Sequence, residues 1–391
     1  MKLLTLMIAL MGLLIAPAQA QHADDAAYPT VTALQMAVLP PRDRVDLAQR
    51  LLGVSDLPDA PAAAEPRQVG DQQVFLATDA TSNIAFEVPA TLRVVGEHIY
   101  MWVQDGGRID DADLKALAQA FDTRIYGPVR ALWGDESSPG VDGDPRIYAL
   151  FTHGLGPTTA AYFASDHTYP RAVLPTSNGH EMFFFNLDAL HGGYSQADIE
   201  SILAHEFQHM IRANLQPNEE YWINEGFSEF TQLYLYQSPG WEIISFMGRP
   251  DTQLNSWSES NTSRAANYGA ALLFTTYLYE RFGLEAVQRL SADPSARGLD
   301  SFDAVLRDVG AIGVDGFFAD WVLANFLVNP DAADGRYGYP SLPGLGASAL
   351  PLMQTATYPF VWNGQANQYA TDYFVLSDVR GRAALTLQLD A

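Results

Sequence analysis

The sequence of 391 residues contains no cysteine. Disulfide bonds are therefore excluded, and the folded chain must be stabilised by its packed core, to which a bound metal can add. Apolar residues make up 48% of the chain and aromatic residues 12%, which is enough material for a sizeable core. This composition is typical of a globular protein and excludes a fibrous or intrinsically disordered one.

Basic residues are scarce in this chain. It has 22 lysines and arginines against 46 aspartates and glutamates, which gives a formal net charge of −24. A molecule with this charge repels the phosphates of nucleic acids and the surfaces of anionic membranes. We therefore expect neither nucleic acid nor membrane among the partners of the mature protein.

Only one apolar run of notable length is present, and it lies at the N-terminus. It extends over residues 3–16, which is shorter than the roughly 20 residues that cross a bilayer. Lys2 precedes it, and the Pro-Ala-Gln-Ala sequence at 17–20 offers a cleavage site with small residues. Residues 1–20 are thus predicted to be a signal peptide, and no cysteine follows them to anchor a lipoprotein. The mature chain is expected in the periplasm or outside the cell.

Composition divides the remaining chain into three parts. Residues 21–68 form a leader that ends in a Pro- and Ala-rich linker, and it is either a removable pro-segment or a plain N-terminal extension. Residues 69–330 form the main domain. Residues 331–391 form a Pro- and Gly-rich linker that leads into two strand-like runs, 372–376 and 384–389. These runs predict a small β segment that is either complete or cut short.

Within the main domain, strand-like sequence comes first and helical sequence second. β-branched and aromatic runs at 73–77, 90–95, 99–103, 146–151 and 181–186 predict strands, and residues 110–133 predict a helix. Helical periodicity dominates from Ser195 to about Val328. This order predicts an α+β fold with an N-terminal mixed sheet, a mainly helical C-terminal lobe, and the helix that starts near Ser195 between them.

That helix carries two histidines four residues apart. His205 and His209 lie on one face, so both imidazoles can reach a single Zn²⁺, and Glu206 lies beside the first of them. A carboxylate next to a two-histidine clamp is the His-Glu-x-x-His pattern of a general base beside a metal. The alternative is a solvated helix face, but the surrounding sequence is apolar, and two buried histidines without partners are costly.

A second helical segment, 222–230, carries two glutamates at the same spacing, Glu225 and Glu229. A catalytic zinc needs a third protein ligand and an open position for water. A histidine ligand commonly donates its second N–H to a carboxylate. Glu225 and Glu229 could fill these two roles, although an acidic solvated face explains the spacing equally well without the first motif.

The two motifs together, His205-Glu206-x-x-His209 and Trp-Ile-Asn-Glu-Gly-Phe-Ser-Glu at 222–229, resemble the gluzincin metallopeptidases. Among these the chain is most similar to the hyicolysin-like family of secreted bacterial proteins, which the stretch 267–283 also fits. The resemblance implies zinc held by His205, His209 and Glu225, with Glu206 as general base and Glu229 behind a ligand histidine. It also makes Tyr268 a candidate donor to the oxyanion, the alternative being a core tyrosine.

Two departures from the wider clan qualify this resemblance. Only fifteen residues separate His209 from Glu225, fewer than in the aminopeptidase and thermolysin branches, which leaves Glu229 as an alternative ligand. The Gly-Ala-Met-Glu-Asn motif that anchors a substrate amino terminus in the aminopeptidase branch is absent. Its absence favours an endopeptidase.

The sequence therefore predicts an exported zinc endopeptidase that hydrolyses peptides or proteins. The alternative is an exported binding or adhesion protein that keeps the metallopeptidase scaffold but hydrolyses nothing. Two further expectations concern single segments. The strand at 181–186 could be an edge that pairs with substrate, the alternative being an ordinary core strand. Asp135, Asp142 and Asp144 could bind Ca²⁺, although their spacing fits a polar turn better.

Overall fold

The computed structural model describes residues 6–10, 30, 43–55, 57, 61–238, 240–258, 261–292, 296–343, 345, 348–381, 384 and 386–388. For 6–10 and 261–263 this description covers the backbone alone. The predicted signal peptide otherwise lies outside the described residues. The predicted α+β class is confirmed, because a mixed sheet occupies the N-terminal half and helices dominate the C-terminal half.

In the described part of the chain, nine strands form two sheets. In chain order they are β1 (Leu6–Leu10), β2 (Gln72–Asp79), β3 (Ile84–Val95), β4 (Ile99–Gln104), β5 (Ile147–Thr152), β6 (Ala161–Phe163), β7 (Met182–Asn186), β8 (Met353–Thr355) and β9 (Asp372–Leu376). The large sheet has the order β2-β3-β4-β5-β7-β6, in which β4–β5 and β5–β7 are parallel and the other pairs antiparallel.

The small sheet has the order β1-β9-β8, with β1 antiparallel and β8 parallel to β9. The run at 372–376 is thus a strand, as predicted. The run at 384–389 is not one in the residues described, since 384 and 386–388 have no regular structure.

The central strands of the large sheet are buried on both faces. Phe183 and Phe185 of β7 point into the core that the helices share, whereas Met182 and Phe184 point into a second core on the other face. This double burial explains the continuous apolar runs of β5 and β7, because a strand covered on one side only would alternate with polar residues.

The edge of the large sheet differs from the sequence prediction. β7 pairs with β5 on one side and with β6 on the other, so the expectation that 181–186 is the edge is wrong. The edge strand is β6, which follows an irregular loop. Three residues are too few to show the period-two alternation by which a strand is recognised, so the sequence could not predict it.

The helices are α1 (Arg44–Leu52), α2 (Asp111–Ala120), α3 (Tyr126–Trp133), α4 (Leu187–Leu190), α5 (Gln196–Leu215), α6 (Tyr221–Tyr236), α7 (Glu242–Met247), α8 (Asn261–Arg289), α9 (Leu299–Asp308) and α10 (Val314–Leu327). A π-helical turn, Phe121–Ile125, joins α2 to α3, so the predicted helix at 110–133 contains one irregular turn. None of the helices in the described part of the chain is both long and apolar enough to cross a membrane.

Helix α5 lies against the sheet through the residue between its two histidines. Its N-terminus is a capping box, in which Ser195 and Asp198 exchange side-chain and backbone hydrogen bonds as predicted. The ring of Phe207 makes an edge-on contact with Phe183 of β7, with 6.4 Å between ring centroids. It also packs against Phe121 at 5.2 Å and stacks on Tyr126 at 5.5 Å, in the π-helical turn and α3. Because Phe207 faces the core, residues two positions before and after it face away from the core.

Two glycines let the helices of the C-terminal half approach closely. A Cβ on Gly226 of α6 would lie 3.0 Å from the carbonyl oxygen of Ala271 and 3.0 Å from Thr275 Oγ1, both in α8. A Cβ on Gly269 of α8 would overlap the carbonyl oxygen of Glu242 in α7. The backbones of α6 and α7 therefore both pack directly against α8.

The segment that follows α10 shares the main core. The buried residues Tyr339, Leu342, Ala349 and Tyr373 belong to the same apolar cluster as the helices. The hydroxyl of Tyr373 donates to the carbonyl oxygen of Val322 in α10 at 2.6 Å. The boundary proposed at residue 330 thus marks where the helices end, and the core continues beyond it.

These contacts predict opposite effects for two Gly→Ala substitutions in helices. Gly269→Ala should lower the free energy of unfolding by roughly 1–3 kcal/mol, because the new methyl group has no space. Gly127→Ala in α3 should be neutral or stabilising by up to about 1 kcal/mol, because nothing lies within 4 Å of its Cβ position. Thermal and urea unfolding of both variants measures the difference. Equal stability of the two variants would contradict the close packing of α7 on α8.

Candidate metal centre

Helices α5 and α6 bring three metal-ligating side chains to one point. His205 and His209 come from α5 and Glu225 from α6. The Nε2 atoms of the two histidines are 3.1 Å apart, and Glu225 Oε2 lies 3.5 Å from that of His205 and 3.4 Å from that of His209. Within the part of the chain that the structure describes, this is the one group of three such residues close enough to share a metal ion.

The spacing of these three atoms fits a zinc ion. Zinc ligands lie about 2.0–2.1 Å from the metal in a tetrahedral arrangement, which places any two of them roughly 3.3–3.4 Å apart. The three observed separations, 3.1, 3.4 and 3.5 Å, scatter around that value. Three protein ligands also leave the fourth position of a tetrahedron open, as a catalytic site requires.

Glu225 is a buried carboxylate with an oxygen that lacks a hydrogen bond. Its side chain is 5% exposed, and Oε2 has no hydrogen-bond partner. Burial opposes its charge, but the two histidines outweigh burial and lower the pKa of Glu225 to about 2. An ionised carboxylate buried in this way is costly without a cation, and a metal at the centre would satisfy it.

The other ring nitrogen of His205 is held by an amide. His205 Nδ1 lies 3.0 Å from Gln232 Oε1, and Gln232 Nε2 donates to Ser201 Oγ at 3.0 Å. In this orientation of the amide its oxygen faces the histidine and can only accept. The proton of neutral His205 is therefore assigned to Nδ1, which leaves the lone pair of Nε2 free for a metal.

Glu229 lies near His205 but is not its hydrogen-bond partner. Glu229 Oε1 is 3.6 Å from His205 Nδ1, farther than the Gln232 oxygen. Burial raises the pKa of Glu229 to about 8, with His205 opposing the shift. The sequence placed Glu229 behind a ligand histidine. The structure puts it there, and Gln232 makes the hydrogen bond.

The imidazole of His209 is positioned by Ser228. Its ring lies beside the serine hydroxyl, with Ser228 Oγ 3.2 Å from Nδ1 and 3.3 Å from Nε2. Ser228 also donates to Gln208 Oε1. A hydroxyl equally far from both ring nitrogens restricts the ring without selecting its tautomer.

A buried ion pair fixes the connection between α5 and α6. Arg212 near the end of α5 pairs with Glu219 in the five-residue connection, and its guanidinium lies 4.9 Å from the ring of Phe227 in α6. Glu219 Oε1 in turn accepts from the backbone N–H of Glu220 at 2.8 Å. These contacts bring α6 back along α5 within few residues. The short spacing between His209 and Glu225 is therefore compatible with a shared site.

Glu206 lines a cavity whose wall also includes His205, His209 and Glu225. The cavity has a volume of roughly 450 Å³ and is lined by β6, by α5, and by the connection between α5 and α6. Burial raises the pKa of Glu206, while His205, His209 and a hydrogen bond from the backbone N–H of Phe163 lower it. Phe163 belongs to β6, so the edge strand contacts the carboxylate directly.

Tyr268 of α8 lines the same cavity. Its ring makes an edge-on contact with Trp257, with 4.9 Å between centroids. Burial and the nearby carboxylates of Glu225 and Glu229 raise its pKa well above the usual value of 10, so its hydroxyl keeps its proton at neutral pH. The structure thus places Tyr268 in the wall of the cavity that His205, Glu206, His209 and Glu225 also line.

The three aspartates considered as calcium ligands all have other partners. Asp142 Oδ2 lies 2.7 Å from His180 Nδ1, and Asp144 Oδ2 accepts from the Tyr100 hydroxyl at 2.8 Å. Asp135 forms an ion pair of 2.8 Å with Arg130. These contacts are those of a polar turn, and binding of Ca²⁺ stays an untested prediction.

Comparison with known proteins gives one relative. The chain is 24% identical over 301 residues to the neutral metalloprotease ShpI of Staphylococcus hyicus, a match that covers 72% of this chain and 67% of that protein. The chain is a distant relative of this metalloprotease. The resemblance to the hyicolysin-like family is confirmed at this level. No family model matches the chain.

Sequence reasoning missed Gln232 and Ser228. The sequence does indicate Gln232, because residues 225, 229 and 232 are four and three positions apart, a spacing that places their side chains on one helix face. Glutamine was passed over because a carboxylate is the more familiar partner of a ligand histidine. Ser228 gives no such signal, since its contact depends on how closely α6 approaches α5.

The triad predicts metal binding that depends on each ligand. Wild-type protein should bind about one equivalent of Zn²⁺, and zinc at 100 times its Kd should raise the unfolding free energy by about 2.7 kcal/mol. His209→Ala should lose both effects, whereas His153→Ala, outside the group, should keep them. Metal analysis and thermal shift provide the measurement. Zinc retained by His209→Ala would exclude this centre.

Gln232 predicts a milder effect at the same centre. Gln232→Leu removes the acceptor that orients His205, and loss of such a partner weakens metal affinity by roughly 10–100-fold. Gln232→Glu keeps an acceptor at this position and should retain more affinity. Competition with a chromogenic zinc chelator measures both variants. Wild-type affinity in Gln232→Leu would show that the amide does not orient the ligand.

Proposed function

We propose that this chain is an exported zinc endopeptidase with His205, His209 and Glu225 as metal ligands. The observation that carries the proposal is the placement of these ligands with Glu206 in one cavity beside an open sheet edge. The relationship to a metalloprotease supports the same reading. The catalytic domain is proposed to comprise residues 69–330, with the segment after 330 packed into the same core.

Zinc is the metal that this donor set fits best. Two imidazoles and one carboxylate form a common catalytic zinc set, whereas harder ions such as Ca²⁺ prefer six or more oxygen ligands. When bound, zinc supplies a Lewis acid that polarises the scissile carbonyl and acidifies the attacking water. The chain itself must position the substrate and move the protons.

Glu206 is the proposed general base. Its carboxylate accepts a proton from the attacking water and returns it to the leaving amine, which departs neutral. Burial raises the pKa of Glu206 above its usual value, although the two nearby histidines oppose the shift. The N–H of Phe163 orients the carboxylate from the substrate side. Glu206 is 6% exposed and lines the same cavity as His205, His209 and Glu225, which supports this role over a purely structural one.

Tyr268 is the proposed donor to the developing oxyanion. A tyrosine hydroxyl is protonated at neutral pH, and burial raises the pKa of Tyr268 further, so it remains a hydrogen-bond donor at alkaline pH as well. Such a donor is useful only where negative charge develops in the transition state. Its position in the wall of the same cavity supports this role over that of a core tyrosine.

The substrate backbone is proposed to pair with β6. This strand bonds to β7 on one side only in the described sheet, and its residues 161–163 line the cavity. An extended peptide can add to such an edge through backbone hydrogen bonds that do not depend on side chains. Binding along a strand in the middle of a peptide suits an endopeptidase, as does the missing motif for a substrate amino terminus.

The alternative is a binding protein on the same scaffold that hydrolyses nothing. Such a protein needs neither a buried general base nor a protonated tyrosine at the cavity. Here a buried carboxylate, Glu206, and Tyr268 both line the cavity, and this favours an enzyme. The predicted signal peptide and the leader at 21–68 are compatible with an exported hydrolase, with periplasmic or extracellular residence left open.

The proposal predicts a separation of metal binding from turnover. Glu206→Gln should lower kcat for casein or a peptide by roughly 10²–10⁴-fold and keep its zinc, because it removes proton transfer and no ligand. Glu285→Gln, an exposed carboxylate on α8, should leave kcat unchanged. Chelation should abolish wild-type activity until zinc returns. Zinc binding without any cleavage by the wild type, with and without residues 21–68, would favour the binding protein.

A further inference from the structure

Asp166 lies at the mouth of the cavity, just beyond the edge strand. It belongs to a short 3-10 turn, Ser165–Thr168, that follows β6, and it lines the same cavity as His205 and Glu206. Its side chain is 48% exposed. A peptide paired with β6 and continuing past Phe163 would therefore pass the Asp166 carboxylate.

An arginine of the leader forms an ion pair with the Asp166 carboxylate. Arg44, the first residue of α1, places Nη2 2.6 Å from Asp166 Oδ1. Its guanidinium carbon also lies 5.6 Å from the centre of the Tyr169 ring, within reach of a cation–π contact. An anion and an aromatic face thus meet the same cationic side chain, although the leader is remote from this turn in sequence.

The turn that carries both groups is fixed from behind. Ser177 Oγ lies 2.9 Å from the carbonyl oxygen of His167 and 2.6 Å from that of Tyr169. The backbone N–H of Asn178 donates to His167 Nδ1 at 3.1 Å, and the Asn178 side chain exchanges two 2.8 Å hydrogen bonds with the backbone of Leu76 in β2. The position of Asp166 therefore does not depend on the leader being present.

We propose that Asp166 and Tyr169 form a specificity subsite for an arginine or lysine side chain of the substrate, and that Arg44 fills this subsite in the unprocessed chain. The inference deepens the proposed peptidase function and rests on it. The net charge of −24 acts in the same direction, because it concentrates cationic segments near the protein. The leader thereby competes with basic substrates for one subsite.

The first test is a set of quenched fluorescent peptides in which one arginine is moved along an alanine-rich sequence. At one position arginine should raise kcat/KM roughly five- to tenfold over alanine, the size that a partly exposed ion pair with a cation–π contact supports. Asp166→Asn should bring this arginine-to-alanine ratio close to one, and Asp166→Lys should make glutamate preferred there. Asp113→Asn, on the exposed side of α2, should keep the wild-type ratio.

A wild-type ratio in Asp166→Asn would overturn the subsite, whatever the absolute activity. The second arm tests the leader in the full chain. Arg44→Ala should lower KM for the arginine peptide several-fold more than KM for the alanine peptide, because only the first competes with Arg44. A similar change for both peptides would show that the leader does not occupy a side-chain subsite.

A third arm separates this inference from the proposed function. Binding of the arginine and alanine peptides to zinc-loaded Arg44→Ala protein is measured by calorimetry, with Glu206→Gln added to prevent turnover. Tighter binding of the arginine peptide that Asp166→Asn removes would support the subsite even if no peptide is ever cleaved. Equal Kd values for the two peptides would reject the subsite even if the protein proves to be an active peptidase.

Discussion

The structure depends on holding three side chains of two helices within 3.5 Å of one another. His205, His209 and Glu225 are all largely buried, and the carboxylate oxygen between the rings has no hydrogen bond of its own. A buried carboxylate in this position needs positive charge beside it, which a protonated histidine or a bound cation supplies. The packing of α5 and α6 holds the three groups at this separation. Phe207 packs α5 against Phe183 of the sheet, and Gly226 allows α6 to lie directly on α8.

The local parts of this arrangement could be predicted from the sequence, because they depend on helical period alone. Four-residue spacings placed His205 beside His209 and Glu225 beside Glu229 before any fold was known. The helical period does not tell which of several residues on one helix face makes the hydrogen bond to His205. Here the Gln232 oxygen lies 3.0 Å from His205 Nδ1, whereas the nearest Glu229 oxygen lies 3.6 Å away. That choice depends on the rotation of α6 against α5, which the whole core decides.

The large sheet likewise shows what a local sequence pattern can and cannot predict. Long apolar runs identified β5 and β7 as strands, because burial on both faces leaves a continuous signal. The strand that matters for a substrate, β6, is three residues long and has no such signal. The prediction that 181–186 is the sheet edge is wrong because the order of strands in a sheet depends on long-range contacts, which the sequence of a single strand does not reveal. A short edge is also the usual way for a protein to limit unwanted pairing.

The acidic residues of the cavity wall attract a metal ion, a basic substrate side chain and the arginine of the leader alike. Glu206, Glu219, Glu225 and Asp166 line it, and Arg212 is the cationic residue that opposes them. Arg212 is already paired with Glu219, so the remaining carboxylates carry a net negative field toward the opening. The same field favours capture of a divalent cation at the centre and of a cationic side chain at the mouth. In the chain itself Arg44 pairs with the carboxylate of Asp166 at the mouth of the cavity. Because the leader is held there by an ion pair, substrates with a positively charged side chain would displace it most readily.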